Sequence, residues 1–483
     1  MASIGSEQLV ISEVARLLGV SRPRVWQLRK QPGFPAPSGT DGGKEWWYEG
    51  TILRWAASAG RGLAERAPLF YRPVTAGAPA RFDGGQVIEG HVVLSFSCEL
   101  GDIAVAYPPV TNRQGDLPRL LTGMPWADCL VVVTPFIHAL GVEMTAVDRQ
   151  DPDREYTPQP EDILRVLGQP LPYWAPELRR PSEMLRWRPG ADVTHIRAIP
   201  DADTTVWLEL ADDLTDASPA RAALLHLAHT VQDRATDTAV HDIEMIEANG
   251  GPAVTIAARP LLSERPNAGD DEAPDPMLLR AGWTQILERD DRLAAACVRE
   301  AWQWDGGRAF PFNGIAAIDL TPDSTAQTNP AAEWAATLQP SKPTAAHAIF
   351  DQYPDGDLLI DPHTGIPAVR NGVIRTAYPQ FLPSHAPLAE VIFHHHEIWV
   401  RTSDGKLWLA PRLSGNGLAY GYTGGSTYSL ATALDLLLDD ICAPAAERPS
   451  SDIPPGLLEI AQTKWLDGMA VTRDQLLTAR KSR

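Results

Sequence analysis

The chain has 483 residues, 44% of them hydrophobic and 21% charged, with a formal net charge of −19. This is enough for two to four globular domains with sizeable cores, and excludes a disordered or low-complexity protein. No apolar run approaches the roughly 18–20 residues of a membrane span, and no charged, then apolar, leader opens the chain, so a cytoplasmic protein is expected. The cysteines Cys98, Cys129, Cys297 and Cys442 are widely spaced without a CxxC pair, which excludes a zinc knuckle or redox pair and fits a reducing compartment.

The first sixty residues are the most informative. Ser12 can cap a short helix whose apolar face is Val14, Ala15 and Leu18. Gly19 supplies a tight turn and Val20 fills the angle before a second helix, capped by Ser21 and tolerating Pro23 in its first turn. Val25 and Leu28 face inward. Arg22, Arg24, Gln27, Arg29 and Lys30 remain outside, residue types that meet phosphates and base edges. Phe34–Pro37 reads as extended, Gly42-Gly43 as a turn, Lys44–Tyr48 as a returning strand, and Thr51–Ser58 as a third helix burying Ile52 and Trp55 against Leu18 and Val25.

This block, about residues 8–60, resembles the winged helix-turn-helix of MerR-like and excisionase-like (AlpA-type) regulators. The matching pieces are the ISEVARLLGVSRPRVWQL core, the FPAP segment and the tryptophan-bearing third helix; Glu45 stands where such proteins often carry a basic residue before the wing aromatic. The resemblance implies double-stranded DNA as partner. The residues expected to touch it are Ser21, Arg22, Arg24, Gln27, Arg29, Lys30 and Lys44.

Charge is unevenly distributed. Residues 1–66 hold nine basic and six acidic side chains, a balance of +3, which leaves −22 on residues 67–483. So acidic a body is repelled by DNA phosphates, so binding is expected to run through the N-terminal module alone, strengthened by oligomerisation.

Beyond a linker over 63–85, strands are expected at Val87–Val93, Ile103–Tyr107 and Cys129–Thr134. Thr194–Ile199 and Thr204–Leu210 alternate like a hairpin, and Pro219–Asp233 and Leu278–Trp304 read as helices. A second linker is expected over 321–345. The dipeptides Asp355-Gly356, Asn371-Gly372 and Asp404-Gly405 signal hairpin turns. A helix over Tyr428–Ile441 and a helical hairpin over 446–483 close the chain. The expected architecture is multidomain: an α-rich winged helix-turn-helix over 1–62, then an α+β body divided into 86–320, a β-rich 346–445, and the terminal hairpin.

Four constellations in the body carry residue types that could support chemistry. His394-His395-His396 on a strand would put His394 and His396 on one face, either as zinc ligands with His385 or His363 or as a solvated edge. His226, His229 and Asp233 share a helix face, but HExxH is absent, and half-buried packing is the simpler reading. Gly421–Thr427 lacks the Walker lysine, and Asp351–Asp357 does not fit a calcium loop. No GxSxG occurs. The body therefore offers no enzyme motif, and no cofactor or metal is expected. The reading is a sequence-specific DNA-binding regulatory or accessory protein of a bacterium, phage or mobile element, whose acidic body oligomerises or binds a protein partner or small-molecule effector. The alternatives are a DNA- or nucleotide-processing enzyme tethered by the module, and an interaction scaffold.

Overall fold

The computed structural model describes residues 8–59, 67–74, 79–109, 116–138, 141–249, 251–262, 274–304, 307, 309–321, 328–413, 417–446 and 448–482. It begins with β1 (Gln8–Val10), α1 (Ile11–Leu17), α2 (Arg22–Leu28), β2 (Gly39–Asp41), β3 (Lys44–Tyr48) and α3 (Glu49–Ser58). The strands form an antiparallel sheet with β3 central. Gly42 and Gly43 both have positive φ, which suits a two-residue hairpin turn whose twist matches its strands. Val14, Ala15, Leu18, Val25, Leu28, Trp47, Ile52 and Ala56 make the core of this module. Gly19, at φ +63, ends α1 in the left-handed conformation.

Local details differ from the sequence reading. Ser12 lies inside α1. The N-cap position is Val10, whose N–H donates to Glu13 Oε2 at 2.9 Å. Ser21 stands at the N-cap of α2, but its hydroxyl makes no capping bond. Trp47 is the buried tryptophan, its indole N–H donating to the Pro35 carbonyl at 3.1 Å, while Trp55 packs at the margin against Phe34. The β1 strand leaves no mark in the sequence, since three residues are too few to display a period of two.

Next comes a six-stranded sheet: β4 (Arg81–Ile88), β5 (His91–Cys98), β6 (Gly101–Tyr107), β7 (Cys129–His138), β8 (Gly141–Asp148) and β9 (Asp151–Tyr156), side by side in chain order. Neighbours are antiparallel except β6 and β7, which are parallel and flank α4 (Leu117–Thr122) in the chain. Alternation assigns the faces. Val92, Leu94, Phe96, Ile103, Val105 and Val131 enter one core, and Val93, Ala104, Ala106, Leu130 and Val132 enter another. Both faces are covered, which explains the nearly unbroken apolar run at Cys129–Val133. The first core also receives Ile163, Val166 and Leu167 from α5 (Pro160–Leu167).

The expected linker over 63–85 is corrected in part. Leu69–Tyr71 forms a buried 3-10 turn, Ala80 N–H donates to the Leu167 carbonyl at 2.7 Å, and residues 81–85 belong to β4; residues 63–66 and 75–78 lie outside the described residues. The N-terminal module is docked on the sheet domain. Leu53 of α3 sits in the sheet's core, Glu49 pairs with Arg154, and Arg54 pairs with the buried Asp162.

The chain divides into two units, residues 1–201 with 232–267, and residues 202–231 with 268–483. In the second, Phe312–Ile318, Val373–Pro379, Pro367–Asn371, Asp357–Ile360 and Gln339–Pro340 form one antiparallel sheet in that order. Leu407–Leu409, Glu397–Thr402, Leu388–His394 and Met469–Thr472 form another. The first of these sheets joins residues on both sides of the expected 321–345 linker, and Pro330–Ala335 within it is helical, so the boundary at 320 is not a domain edge. The expected hairpin at 194–210 is replaced by a strand, Thr194–Ile196, parallel to Ala258–Pro260, and a helix, Thr204–Asp212. The stretch 278–304 is two helices, Pro276–Leu287 and Arg292–Gln303. The C-terminal helices Pro455–Gln462 and Arg473–Lys481 are separated by a strand rather than a turn alone. No helix among the described residues is long and apolar enough to cross a membrane.

Candidate nucleic-acid interface

The period of α2 separates two faces. Val25 and Leu28 are buried in the module core, while Arg22, Arg24 and Gln27 are exposed, as are Ser21 before the helix and Lys30 after it. Arg24 donates to Gln27 Oε1 at 2.8 Å, one helical turn on. Lys44, also exposed, opens β3 directly after the Gly42-Gly43 turn. Arg22, Lys30 and Lys44 make no ion pair among the described residues, so their charges face solvent.

Arg29 is placed differently from its neighbours. Its guanidinium forks onto Glu45 of β3, with N–O distances of 2.7 and 3.0 Å. It also lies 4.7 Å from the centre of the Trp26 ring and 5.2 Å from that of Trp47. Arg29 therefore ties α2 to the hairpin, and Glu45 is accounted for by this pairing. Trp26, 52% exposed on α2, was not singled out from the sequence. Its position one residue after Val25 on a short amphipathic helix was the available signal.

The other constellations are dispersed or reassigned. His395 and His396 form the two-residue turn between Leu388–His394 and Glu397–Thr402, with φ of 47° and 66°, so they do not alternate along a strand with His394. Histidine tolerates this left-handed conformation better than branched residues do. Asp467 holds the turn, accepting from His395 N–H at 2.7 Å and lying 3.3 Å from its Nδ1. His226, His229 and Asp233 are exposed rather than half-buried. Gly421–Gly424 leads into the helix Gly425–Asp439, and Asp351 pairs with Arg299 at 2.9 Å. No group of three or more metal-ligating His, Cys, Asp or Glu side chains is assembled among the described residues.

One titratable cluster was invisible in the sequence. Arg179 is buried and donates to the carbonyls of Trp174, Pro108 and Thr134 at 3.1–3.3 Å. Nearby, the Tyr173 hydroxyl is 3.5 Å from Asp242 Oδ2. Burial pushes the Glu177 carboxyl up to about 7, and burial likewise raises that of Asp242. Glu177 thus changes charge near neutral pH, which bears on stability rather than on any assigned chemistry.

Comparison with protein-family models, with curated proteins and with solved structures finds no match for this chain.

Proposed function

We propose that the chain is a DNA-binding regulatory or accessory protein whose N-terminal module is a winged helix-turn-helix. In this reading α2 enters the major groove and the β2–β3 hairpin is the wing. Arg22, Arg24, Gln27 and Lys30 contact phosphates and base edges, and Lys44 contacts the backbone. The observation that carries it is α2, which exposes Arg22, Arg24 and Gln27, with Lys30 just beyond its end, while Val25 and Leu28 are buried. The Arg29–Glu45 fork supports it further, because it fixes the hairpin against the helix and pre-organises both for a single docking.

Mobility-shift titration of the full chain on random-sequence duplexes, across a range of salt, tests the proposal. The expected result is binding that weakens with salt at a slope of about 0.9 per phosphate contact, with a sequence-enriched fraction emerging on repeated selection. An absence of binding even at low salt, where phosphate attraction is strongest, overturns it.

A further inference from the structure

A cavity of about 140 Å³ opens between α3 and the segment that enters α5. Gly50, Thr51 and Arg54 line it from α3, with Tyr71, Gln159 and Asp162 opposite. Tyr71 is only 3% exposed, yet its hydroxyl makes no hydrogen bond among the described residues. That hydroxyl points at Gly50, where an added Cβ would lie 2.7 Å from it. The hydroxyl is the part of Tyr71 that stays accessible from the cavity, and the missing side chain at Gly50 lets the Tyr71 ring lie against the α3 backbone.

The charges around the cavity are already satisfied. Arg54 pairs with Asp162 and donates to Thr51 Oγ1 at 3.1 Å, and Asp162 also accepts from Gln159 N–H at 3.0 Å. Glu49 beside them pairs with Arg154. An anionic ligand would meet Asp162 and Glu49, and a cationic one would meet Arg54, so neither finds a free counter-charge. Burial, reinforced by Asp162, holds the Tyr71 hydroxyl far above its ordinary range, so it stays protonated and can donate. The volume matches the roughly 150 Å³ that accommodates one six-membered ring.

We propose that this cavity is a binding site for a small uncharged single-ring carbonyl compound, such as an aromatic amide, whose oxygen accepts from the Tyr71 hydroxyl. The site is defined without reference to DNA, and its test is independent of DNA binding. Saturation-transfer NMR and calorimetry on the full chain would use benzamide, with benzoate and benzylamine as charged comparators. Benzamide should bind, and each charged analogue should bind at least tenfold more weakly. Tyr71→Phe keeps the ring and the packing but removes the donor, and should weaken benzamide about tenfold with an unchanged melting temperature. Thr51→Val, at the opposite wall, leaves the Tyr71 hydroxyl in place and should retain binding within a few-fold. No transfer from millimolar benzamide, equal or tighter binding of a charged analogue, or unaltered binding by Tyr71→Phe would each overturn the assignment.

Discussion

At the scale of single residues, Arg24 and Arg29 look alike in the sequence and are not alike in the fold. Among the described residues Arg24 bonds only to Gln27 on its own helix, whereas Arg29 is locked between Trp26, Trp47 and Glu45. Arg24→Ala should make the slope of log affinity against log salt shallower by about 0.9, with stability unchanged. Arg29→Ala and Glu45→Gln should instead each lower stability, with a coupling of about 0.5–1 kcal/mol between them in a double-mutant cycle by denaturant titration, since the pair is partly exposed. A coupling near zero would remove the strut. Glu177 makes a pH prediction. Its folded-state pKa is raised to about 7 by burial, so the stability it contributes is full below the ordinary carboxylate range and is lost as pH rises through 7. Glu177→Gln should therefore flatten the fall in stability between about pH 5 and pH 8, read from melting temperatures. An identical pH profile in the variant would show that the carboxyl does not titrate there.

At the scale of elements, helices with a clear period were legible and short strands were not. Val14, Ala15, Leu18, Val25 and Leu28 announce α1 and α2, because a helix repeats its face within a few residues. The β1 strand and the strand Met469–Thr472 contain three and four residues, and exist because β3 and Leu388–His394 offer them an edge. The triple histidine departs from strand alternation for a related reason. It lies in a strand-like context, but the pairing of His394 with Glu397 makes the intervening two residues a turn. In the module, Trp47 rather than Trp55 is the anchor, being 1% exposed and central in the sheet. Trp47→Ala should cost about 3–5 kcal/mol, and Trp55→Ala clearly less, as measured by chemical denaturation. Equal losses from the two would mean that the margin around Phe34 and Trp55 carries as much packing as the centre.

At the scale of the whole molecule, the balance of +3 on residues 1–66 against −22 on the remainder still describes the full chain, but pairing reduces what is free. Arg29 and Arg54 are engaged by Glu45 and Asp162. A single module offering four or five phosphate-reaching side chains should hold DNA weakly at physiological salt. The full chain is therefore expected to bind as a dimer or larger assembly, protecting half-sites about one helical turn apart or a multiple of it. Light scattering with footprinting checks this, and a monomer protecting one half-site at full affinity would refute it. The docking of α3 makes a further prediction. Leu53→Ala should destabilise the sheet domain along with the module, by about 2–5 kcal/mol in a shared transition. Two separate transitions, with only the smaller one shifted, would show that the module unfolds alone.

The sequence by itself determined the module's two leading helices, the Gly42-Gly43 turn, the hairpins closed by Asn371-Gly372 and Asp404-Gly405, and the basic set on α2. These follow from interactions within a few residues, where period, turn chemistry and charge act directly. Tertiary structure alone decided that Arg29 is a strut, that Leu53 belongs to the sheet's core, and that Phe312–Ile318 pairs with Val373–Pro379 across an apparent linker. It also decided that the Tyr71 hydroxyl, without a hydrogen-bond partner among the described residues, lines a cavity beside Gly50. Each depends on partners from about 16 to more than 100 positions away, and the cost of closing such loops is repaid only when whole surfaces are buried together.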